Sequence, residues 1–201
     1  MLAACILAGG RATRLGGRHK SLVTLDGATI LERQLDVLGP RCQQIIVAVA
    51  AGAAPLPVPA RWADRVELVS DAVAGAGPIA GIAAALAVCR APWMLLVAGD
   101  LPHLGGAVLD LLIAAIAADL DAVAPRLGGL PEPLCCAYAA AVAPIAARRL
   151  AGGRRKASGL LTDEGLRVRW IDEPALRAVD PTLACFSDVD TPLDLVRLHA
   201  E

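Results

Sequence analysis

Short apolar runs, separated by polar, glycine and proline residues, set the pattern of the first 125 residues. Each run is too short for a buried helix and predicts a buried strand. The runs cover residues 2–7, 45–49, 66–69, 93–98 and 121–125. Three stretches with helical spacing lie between them, at residues 30–38, 79–90 and 106–118. Strands that alternate with helices predict an α/β fold with a parallel, doubly wound sheet.

The last third of the chain has a less regular pattern, from which several further elements are predicted. They are an extended segment at residues 131–137, a helix at 140–150 that is interrupted near Pro144, a short helix capped by Ser158 that ends at Thr162, a strand at 168–171 and a final helix from Thr191 to about His199. No repeat of fixed period and no low-complexity linker divides the chain. We therefore expect a single domain over residues 1–201.

A basic, glycine-rich loop follows the first predicted strand. Its glycines let the backbone bend sharply and approach a ligand closely, because they have no Cβ. Consecutive amide groups in such a loop can point at one anion, and basic side chains add full positive charges. These side chains belong to Arg11, Arg14, Arg18 and Lys20. Ligands in open α/β sheets bind beyond the carboxyl ends of the strands, so the loop predicts a polyphosphate site.

The loop matches neither of two common phosphate-binding motifs. A Walker A loop requires Gly-Lys-Ser/Thr, whereas His19 precedes Lys20 and Ser21 here. The dinucleotide motif G-x-G-x-x-G is also absent. The alternative interpretation of the loop is an exposed, charged turn without a ligand, because turns favour the same residues.

Two other segments point to the same edge of the predicted sheet. Gly77 and Pro78 open a helix, and Gly81 in its first turn permits close approach of a ligand to free N–H groups. Asp100 follows the strand at 93–98, where a carboxylate can hold Mg²⁺ against phosphate oxygens. The alternative for the glycine segment is a tight strand-to-helix connection in which glycine serves packing alone. The alternative for Asp100 is an aspartate that forms a turn or caps a helix. Together with a phosphate loop on another strand, these segments favour a nucleotide site.

Composition and charge exclude several classes of protein. Hydrophobic residues make up 56% of the 201 residues, so a sizeable core can form. No apolar run approaches the roughly 20 residues of a membrane span, and no basic segment precedes the first run as in a signal peptide. The net charge of −1 gives no reason to expect binding to nucleic acid or to a membrane surface. We expect a cytoplasmic protein that is a monomer or a weak oligomer.

The six cysteines lack the spacing of a metal site. There is no C-x-x-C pair, and the three histidines are scattered along the chain. Disulfides are not expected in a reducing compartment. Most of the cysteines lie in or beside apolar runs and are predicted to be small core residues.

Taken together, the motifs resemble those of the molybdenum cofactor guanylyltransferases. The similar segments occur in the family's order and are residues 7–22, 77–81, 99–102, 132–134 and 186–192. The resemblance implies a Rossmann-like three-layer α/β/α nucleotidyltransferase fold with a mostly parallel central sheet. It also implies transfer of GMP from GTP to molybdenum-bearing molybdopterin, with pyrophosphate as the second product and Mg²⁺ as the cofactor. Residues 1–125 would bind the nucleotide, and residues 126–201 would supply the acceptor side and a closing helix.

The resemblance also assigns residues to the site. Nucleotide contacts are implied for Leu7, Ala8, Gly9, Gly10, Lys20, Asp71, Gly77, Gly81 and Asp100. Catalytic roles are implied for Arg14, Lys20 and Asp100, which would neutralise charge on the phosphates. Asp100 would hold Mg²⁺, with Asp190 as a second candidate ligand. The basic run at residues 154–156 either receives the pterin phosphate or is a solvated surface turn.

The sequence departs from the family's usual pattern at three places, which bear on nucleotide affinity more than on the reaction class, and the first loop alone does not separate guanylyl from cytidylyl transferases. His19 stands where an aspartate is common, Asp188 and Asp190 replace two asparagines, and Ala48 lies near the position of a nucleotide-contacting asparagine in some relatives. A cytidylyltransferase acting on the same pterin, or another sugar or small-phosphate nucleotidyltransferase, is the nearest alternative. A non-catalytic nucleotide-binding partner is the second. Molybdoenzymes or their chaperones are further candidate partners.

Overall fold

The computed structural model describes residues 1–9, 19–53, 56–71, 73 and 75–189. Its strands are β1 (Leu2–Leu7), β2 (Thr24–Leu25), β3 (Ala28–Thr29), β4 (Gln44–Val49), β5 (Val66–Ser70), β6 (Trp93–Ala98), β7 (Ala122–Leu127), β8 (Leu130–Pro131), β9 (Cys135–Ala139) and β10 (Val168–Asp172). Its helices are α1 (Ile30–Leu38), α2 (Pro78–Val88), α3 (Gly106–Ala114), α4 (Ala143–Ala151), α5 (Ser158–Thr162) and α6 (Glu173–Val179).

One eight-stranded sheet forms the centre of the molecule. Its strand order is β10-β7-β9-β6-β1-β4-β5, and β8 pairs with β7 at the side of this path. β1 runs parallel to both β4 and β6, and β4 runs parallel to β5. Only β8 and β9 pair with their neighbours in antiparallel orientation within the described part of the sheet. The expected mostly parallel sheet is therefore confirmed.

Helices cover the sheet in two groups. α2 contacts α4 and packs on β1, β4 and β5, whereas α3 contacts α6 and β9. The central strands are buried, and residues 3–6 of β1 are fully inaccessible to solvent. Strands that are covered on both faces need continuous apolar runs. This is why the short runs in the sequence predicted β1, β4 and β6 to within one residue.

Helix α1 is fixed at its start by a capping box. The Glu32 N–H donates to Thr29 Oγ1 at 3.1 Å, and the Thr29 N–H donates to Glu32 Oε2 at 2.8 Å. Such a reciprocal pair satisfies two of the N–H groups that a helix start leaves free. The cap sets the register of α1, whose residues Ile30, Leu31, Gln34, Leu35 and Leu38 are buried.

Several predicted elements differ from the structure in their bounds. α3 ends at Ala114 rather than at residue 118, and Arg169 Nη1 donates to the Ala115 carbonyl just beyond this end at 2.9 Å. The contact satisfies a carbonyl that a helix end leaves free, so tertiary structure favours the earlier end over the helix propensity of the alanines that follow. Ser158 is the first residue of α5 and does not cap it, since Ala157 is the N-cap and makes no side-chain cap bond.

The region after residue 138 contains one helix that was not predicted. α6 carries Pro174 in its first turn, but Leu176 is its only buried residue, so its apolar pattern is weak. The expected interruption near Pro144 is confirmed, because a 3₁₀ turn at Ala140–Val142 precedes α4. The predicted final helix at 191–199 lies outside the described residues. Within the described ranges, no helix has the length and apolar character that crossing a membrane requires.

Candidate active site

A cavity of about 350 Å³ lies beyond the carboxyl ends of the central strands. Leu7, Val49 and Ala98, the last residues of β1, β4 and β6, all line it. Gly77 and Pro78, at the start of α2, line another part of the same cavity. This is the position at which open α/β sheets bind their ligands.

The structure brings most of the predicted site residues together around this cavity. The lining includes Leu7, Ala8, Gly9, Lys20, Asp71, Gly77, Gly81 and Asp100. The remaining three, Gly10, Arg14 and Asp190, lie outside the described residues. The predicted roles of all these residues stay predictions.

Lys20 and Asp100 form an ion pair at the cavity. Lys20 Nζ lies 3.0 Å from Asp100 Oδ2, and the two side chains are 19% and 23% exposed. Lys20 begins a 3₁₀ turn at Lys20–Leu22, and Asp100 lies two residues after the end of β6. Partial burial reduces the screening of the two charges by water, so they interact more strongly than an exposed pair. The pair places one cation and one carboxylate where a charged ligand can reach both.

Backbone hydrogen bonds fix the turn that carries Asp100. The Gly99 N–H donates to the Leu7 carbonyl at 2.9 Å, and the Ala98 N–H donates to the Leu134 carbonyl at 2.7 Å. The Val189 N–H donates to the Asp100 carbonyl at 3.1 Å. The position of the Asp100 main chain is therefore set by three separate segments.

Gly99 is required for the close approach of β6 to β1. A Cβ on Gly99 would lie 2.8 Å from the Leu7 carbonyl oxygen and 3.2 Å from Ala8 Cα, which are backbone atoms that cannot move aside. On Gly81, the atom nearest to an added Cβ is Leu7 Cδ2, at 2.8 Å, the end of a flexible side chain.

These contacts predict different costs for two glycine-to-alanine variants. Gly99→Ala should reduce the free energy of unfolding by about 1–3 kcal/mol, the usual cost of overpacking. Gly81→Ala should change it by less than about 1 kcal/mol, since alanine is the better helix former and partly offsets the contact. Urea unfolding monitored by circular dichroism measures both. Equal stability losses in the two variants would contradict the conclusion that Gly99 is packed against rigid backbone and Gly81 against a flexible side chain.

Asp71 lines the cavity at the end opposite the Lys20–Asp100 pair. Its Oδ1 accepts the Ala51 N–H at 2.7 Å, and its own N–H donates to the Val49 carbonyl at 2.9 Å. β5, which precedes Asp71, and β6, which precedes Asp100, are separated by β4 and β1. Three strand spacings correspond to about 14 Å. The cavity is thus long enough to offer one carboxylate at each end of an extended ligand.

The start of α2 contributes the wall between these two carboxylates. Gly77 has φ +75°, a left-handed conformation that favours glycine, and Pro78 occupies the first turn of the helix. Gly81 allows α2 to pack against Leu7 and Ala48. The positive end of the helix dipole therefore lies at the cavity, where it favours an anion.

The basic run at residues 154–156 lies against the turn that precedes α2. Arg155 Nη1 donates to the Gly75 carbonyl at 3.0 Å. Arg154 Nη2 lies 2.9 Å from Glu164 Oε1, and this nearly buried carboxylate also pairs with Arg149. At least two cations of the run thus make defined contacts within the protein.

Glu132, which follows β8, is half-buried and carries a perturbed carboxyl group. Burial raises the pKa of Glu132, and the neighbouring negative charge of Asp188 adds to this increase. Within the part of the chain that the structure describes, no group of three or more His, Cys, Asp or Glu side chains could hold a metal ion by itself.

The sequence interpretation did not assign several residues that line the cavity, among them Leu134 and Ser21. Leu134 lines it and holds Ala98 through its carbonyl. Ser21 also lines it, and its buried hydroxyl has no hydrogen-bond partner within the described ranges. The available signal for Ser21 was its place directly after Lys20, the order that phosphate-binding loops use.

A mostly parallel sheet with a lysine, two separated carboxylates and a helix start at its carboxyl edge is typical of nucleotidyltransferases. Comparison with known proteins agrees with this class. A family model described as the MobA-like NTP transferase domain matches residues 4–166. The chain belongs to this family.

Curated and solved relatives extend the similarity to the whole chain. A molybdenum cofactor guanylyltransferase of Desulfosudis oleivorans is 32% identical over 97% of this chain and 93% of its own length. The solved molybdopterin-guanine dinucleotide biosynthesis protein A of Archaeoglobus fulgidus is 29% identical, with a TM-score of 0.77 over 98% of this chain and 97% of that one. A Mycobacterium tuberculosis protein solved in complex with manganese shares the fold, with a TM-score of 0.63 at 21% identity and coverage of 100% and 98%. The family and fold predictions are confirmed.

Proposed function

We propose that this protein transfers GMP from GTP to molybdenum-bearing molybdopterin, which yields the guanine dinucleotide form of the cofactor and pyrophosphate. The observation that carries the proposal is the cavity with the Lys20–Asp100 pair at one end and Asp71 at the other. Relatives that match nearly the whole chain are named for this activity.

GTP is proposed to lie along the cavity, with its nucleoside near Asp71 and its phosphates near Lys20. The separation of about 14 Å between the strands that carry Asp71 and Asp100 accommodates an extended nucleoside triphosphate. Guanine has N–H donors on its Watson–Crick edge, and a carboxylate can accept hydrogen bonds from them. The phosphates would meet the start of α2 and the backbone of residues 8 and 9.

The donor atoms at the phosphate end fit Mg²⁺, which we propose as the cofactor. Mg²⁺ prefers oxygen ligands and is usually held by one or two carboxylates together with substrate phosphates and water. Asp100 offers a partly exposed carboxylate, and Ser21 a buried hydroxyl without a partner in the described part of the chain. Asp100 would hold the ion, with Asp190 as the second proposed ligand. The bound ion neutralises charge on the triphosphate oxygens.

The protein's own residues act in this reaction by binding, orienting and neutralising charge. A phosphate oxygen of the pterin attacks the α-phosphorus of GTP, the bond to the β-phosphate oxygen breaks, and pyrophosphate leaves with that electron pair. Lys20 and Arg14 would stabilise the negative charge that grows on the phosphates. No covalent enzyme intermediate is needed, so positioning supplies most of the rate.

The acceptor side is assigned to residues 126–201, and residues 1–125 are assigned to nucleotide binding. Arg155 and Lys156 are the candidate cations for the pterin phosphate, because Arg154 already pairs with Glu164. We further propose a cytoplasmic monomer or weak oligomer that passes its product to molybdoenzymes or their chaperones.

The product formed from each of the four nucleoside triphosphates tests this function. The protein is incubated with molybdenum-loaded molybdopterin, Mg²⁺ and one nucleotide at a time, and the product is identified by mass spectrometry. We expect the guanine dinucleotide and one equivalent of pyrophosphate from GTP alone. A cytosine dinucleotide from CTP would favour the cytidylyltransferase, and nucleotide binding without pyrophosphate would favour a non-catalytic partner.

A further inference from the structure

Gln34 is a fully buried polar residue on α1, a helix whose other buried residues are apolar. Its Nε2 donates to the Ala98 carbonyl at 2.7 Å and to the Leu101 carbonyl at 3.0 Å. Ala98 and Leu101 flank Gly99 and Asp100 in the chain. One side-chain amide therefore bridges both ends of the turn that carries the cavity's aspartate.

The orientation of this amide is unambiguous, and it leaves one atom without a partner. Both atoms that the amide faces are carbonyl oxygens, so the NH₂ group must point at them. Gln34 Oε1 is buried and has no hydrogen-bond partner within the described ranges. A buried acceptor without a partner lowers stability. A leucine, as at the neighbouring buried positions 31, 35 and 38, would avoid that cost.

We propose that Gln34 is a positioning residue that sets the geometry of Asp100. The two bonds from Gln34 hold the turn from the side of α1, while Leu7 and Val189 hold it through Gly99 and Asp100. A fixed main chain limits the positions that the Asp100 carboxylate can reach, and with them its distance to Lys20 and to Mg²⁺ on the triphosphate. The inference rests on the proposed function, in which Asp100 holds the metal.

The test compares two buried glutamines. Gln34→Met keeps the length of the side chain and removes both donors. The matched control is Gln44→Met, because Gln44 is also buried and its Nε2 also donates to a backbone carbonyl, that of Val88 at 3.0 Å. Gln44 is the first residue of β4 and thus lies at the opposite edge of the sheet from the cavity. Both variants lose buried hydrogen bonds, and only the first affects the Asp100 turn.

Two measurements separate positioning from folding. The first is the Mg²⁺ concentration that gives half-maximal pyrophosphate release, together with kcat and the KM for the pterin. The second is the affinity for Mn²⁺ in the presence of GTP, followed by electron paramagnetic resonance without turnover. Mutation of a residue that orients a metal ligand typically changes metal affinity or activity by about 10–100-fold. We expect a change of this size in metal affinity and kcat for Gln34→Met, with the pterin KM unchanged, and less than about 2-fold changes for Gln44→Met.

Wild-type metal dependence in a folded Gln34→Met protein would overturn the proposal, as would equal changes in both variants. If Gln34→Met does not fold, Gln34→Leu serves instead, because leucine already occupies the neighbouring buried positions 31, 35 and 38 of α1 and also lacks the two donors. Failure of the proposed function would show differently, since the wild-type protein would then form no dinucleotide. Its Mn²⁺ affinity with GTP would still test whether Gln34 positions Asp100.

Discussion

Lys20→Ala should lower the rate of pyrophosphate release by at least about 10²–10³-fold, the usual effect of removing one group that stabilises transition-state charge. Lys20 places its ammonium at the cavity, 3.0 Å from the Asp100 carboxylate. Without that charge, the α-phosphate would gain negative charge in the transition state with less compensation. The measurement is pyrophosphate release at saturating GTP, pterin and Mg²⁺.

The protein should remain folded in this variant, because Asp100 keeps access to water without Lys20 and its turn is held by main-chain hydrogen bonds. The control is Arg90→Ala, which breaks the ion pair with Glu67 at 3.0 Å, where the side chains are 70% and 36% exposed. This pair lies near the amino ends of the strands, away from the cavity. We expect the control to retain wild-type turnover. Near-normal GTP consumption by Lys20→Ala would show that Lys20 does not have the assigned role.

The central strands could be predicted from sequence because burial on both faces leaves little choice of residue. A strand such as β6 reads as an unbroken apolar run, from Trp93 to Ala98, and the structure gives the same bounds. Pro78 likewise marks the start of α2 by its own chemistry, since proline is tolerated in the first turn of a helix. These signals act within a few residues, so a single sequence contains them.

The candidate site was predictable where its residues follow directly from a strand end. Asp71 and Asp100 each come after an apolar run, and parallel strands bring their carboxyl ends to one edge. Contacts between distant segments have no such local signal. Gln34 looks like an ordinary polar residue of an amphipathic helix, and only the fold shows that it reaches Ala98, 64 residues away. Arg155 likewise meets Gly75 across 80 residues.

The same distinction explains the misplaced end of α3. Its alanines favour helix locally, whereas the carbonyl beyond its observed end accepts a hydrogen bond from Arg169 of β10, 54 residues away. The roles of Gly10, Arg14 and Asp190, which lie outside the described residues, stay predictions. So does the division of the chain at residue 125.

Asp100→Ala should also reduce turnover by about 10²–10³-fold or more, since it removes the carboxylate proposed to hold Mg²⁺. The variant should fold, because the turn around Asp100 is held by main-chain bonds from Gly99, Ala98 and Val189 rather than by the side chain. Raising the Mg²⁺ concentration should restore little activity. Full turnover at any Mg²⁺ concentration would refute the metal assignment.

The double variant Lys20→Ala/Asp100→Ala distinguishes two explanations of these losses. If each residue acts on the phosphates alone, the two rate reductions multiply. Lys20 and Asp100 are in direct contact, and each residue also fixes the position of the other. The two rate reductions are therefore not expected to be independent. We therefore expect the double variant to be less impaired than the product of the single effects, as in catalytic groups that act as a unit. Strict multiplication of the two effects in single-turnover measurements would mean that the ion pair has no part in arranging the site.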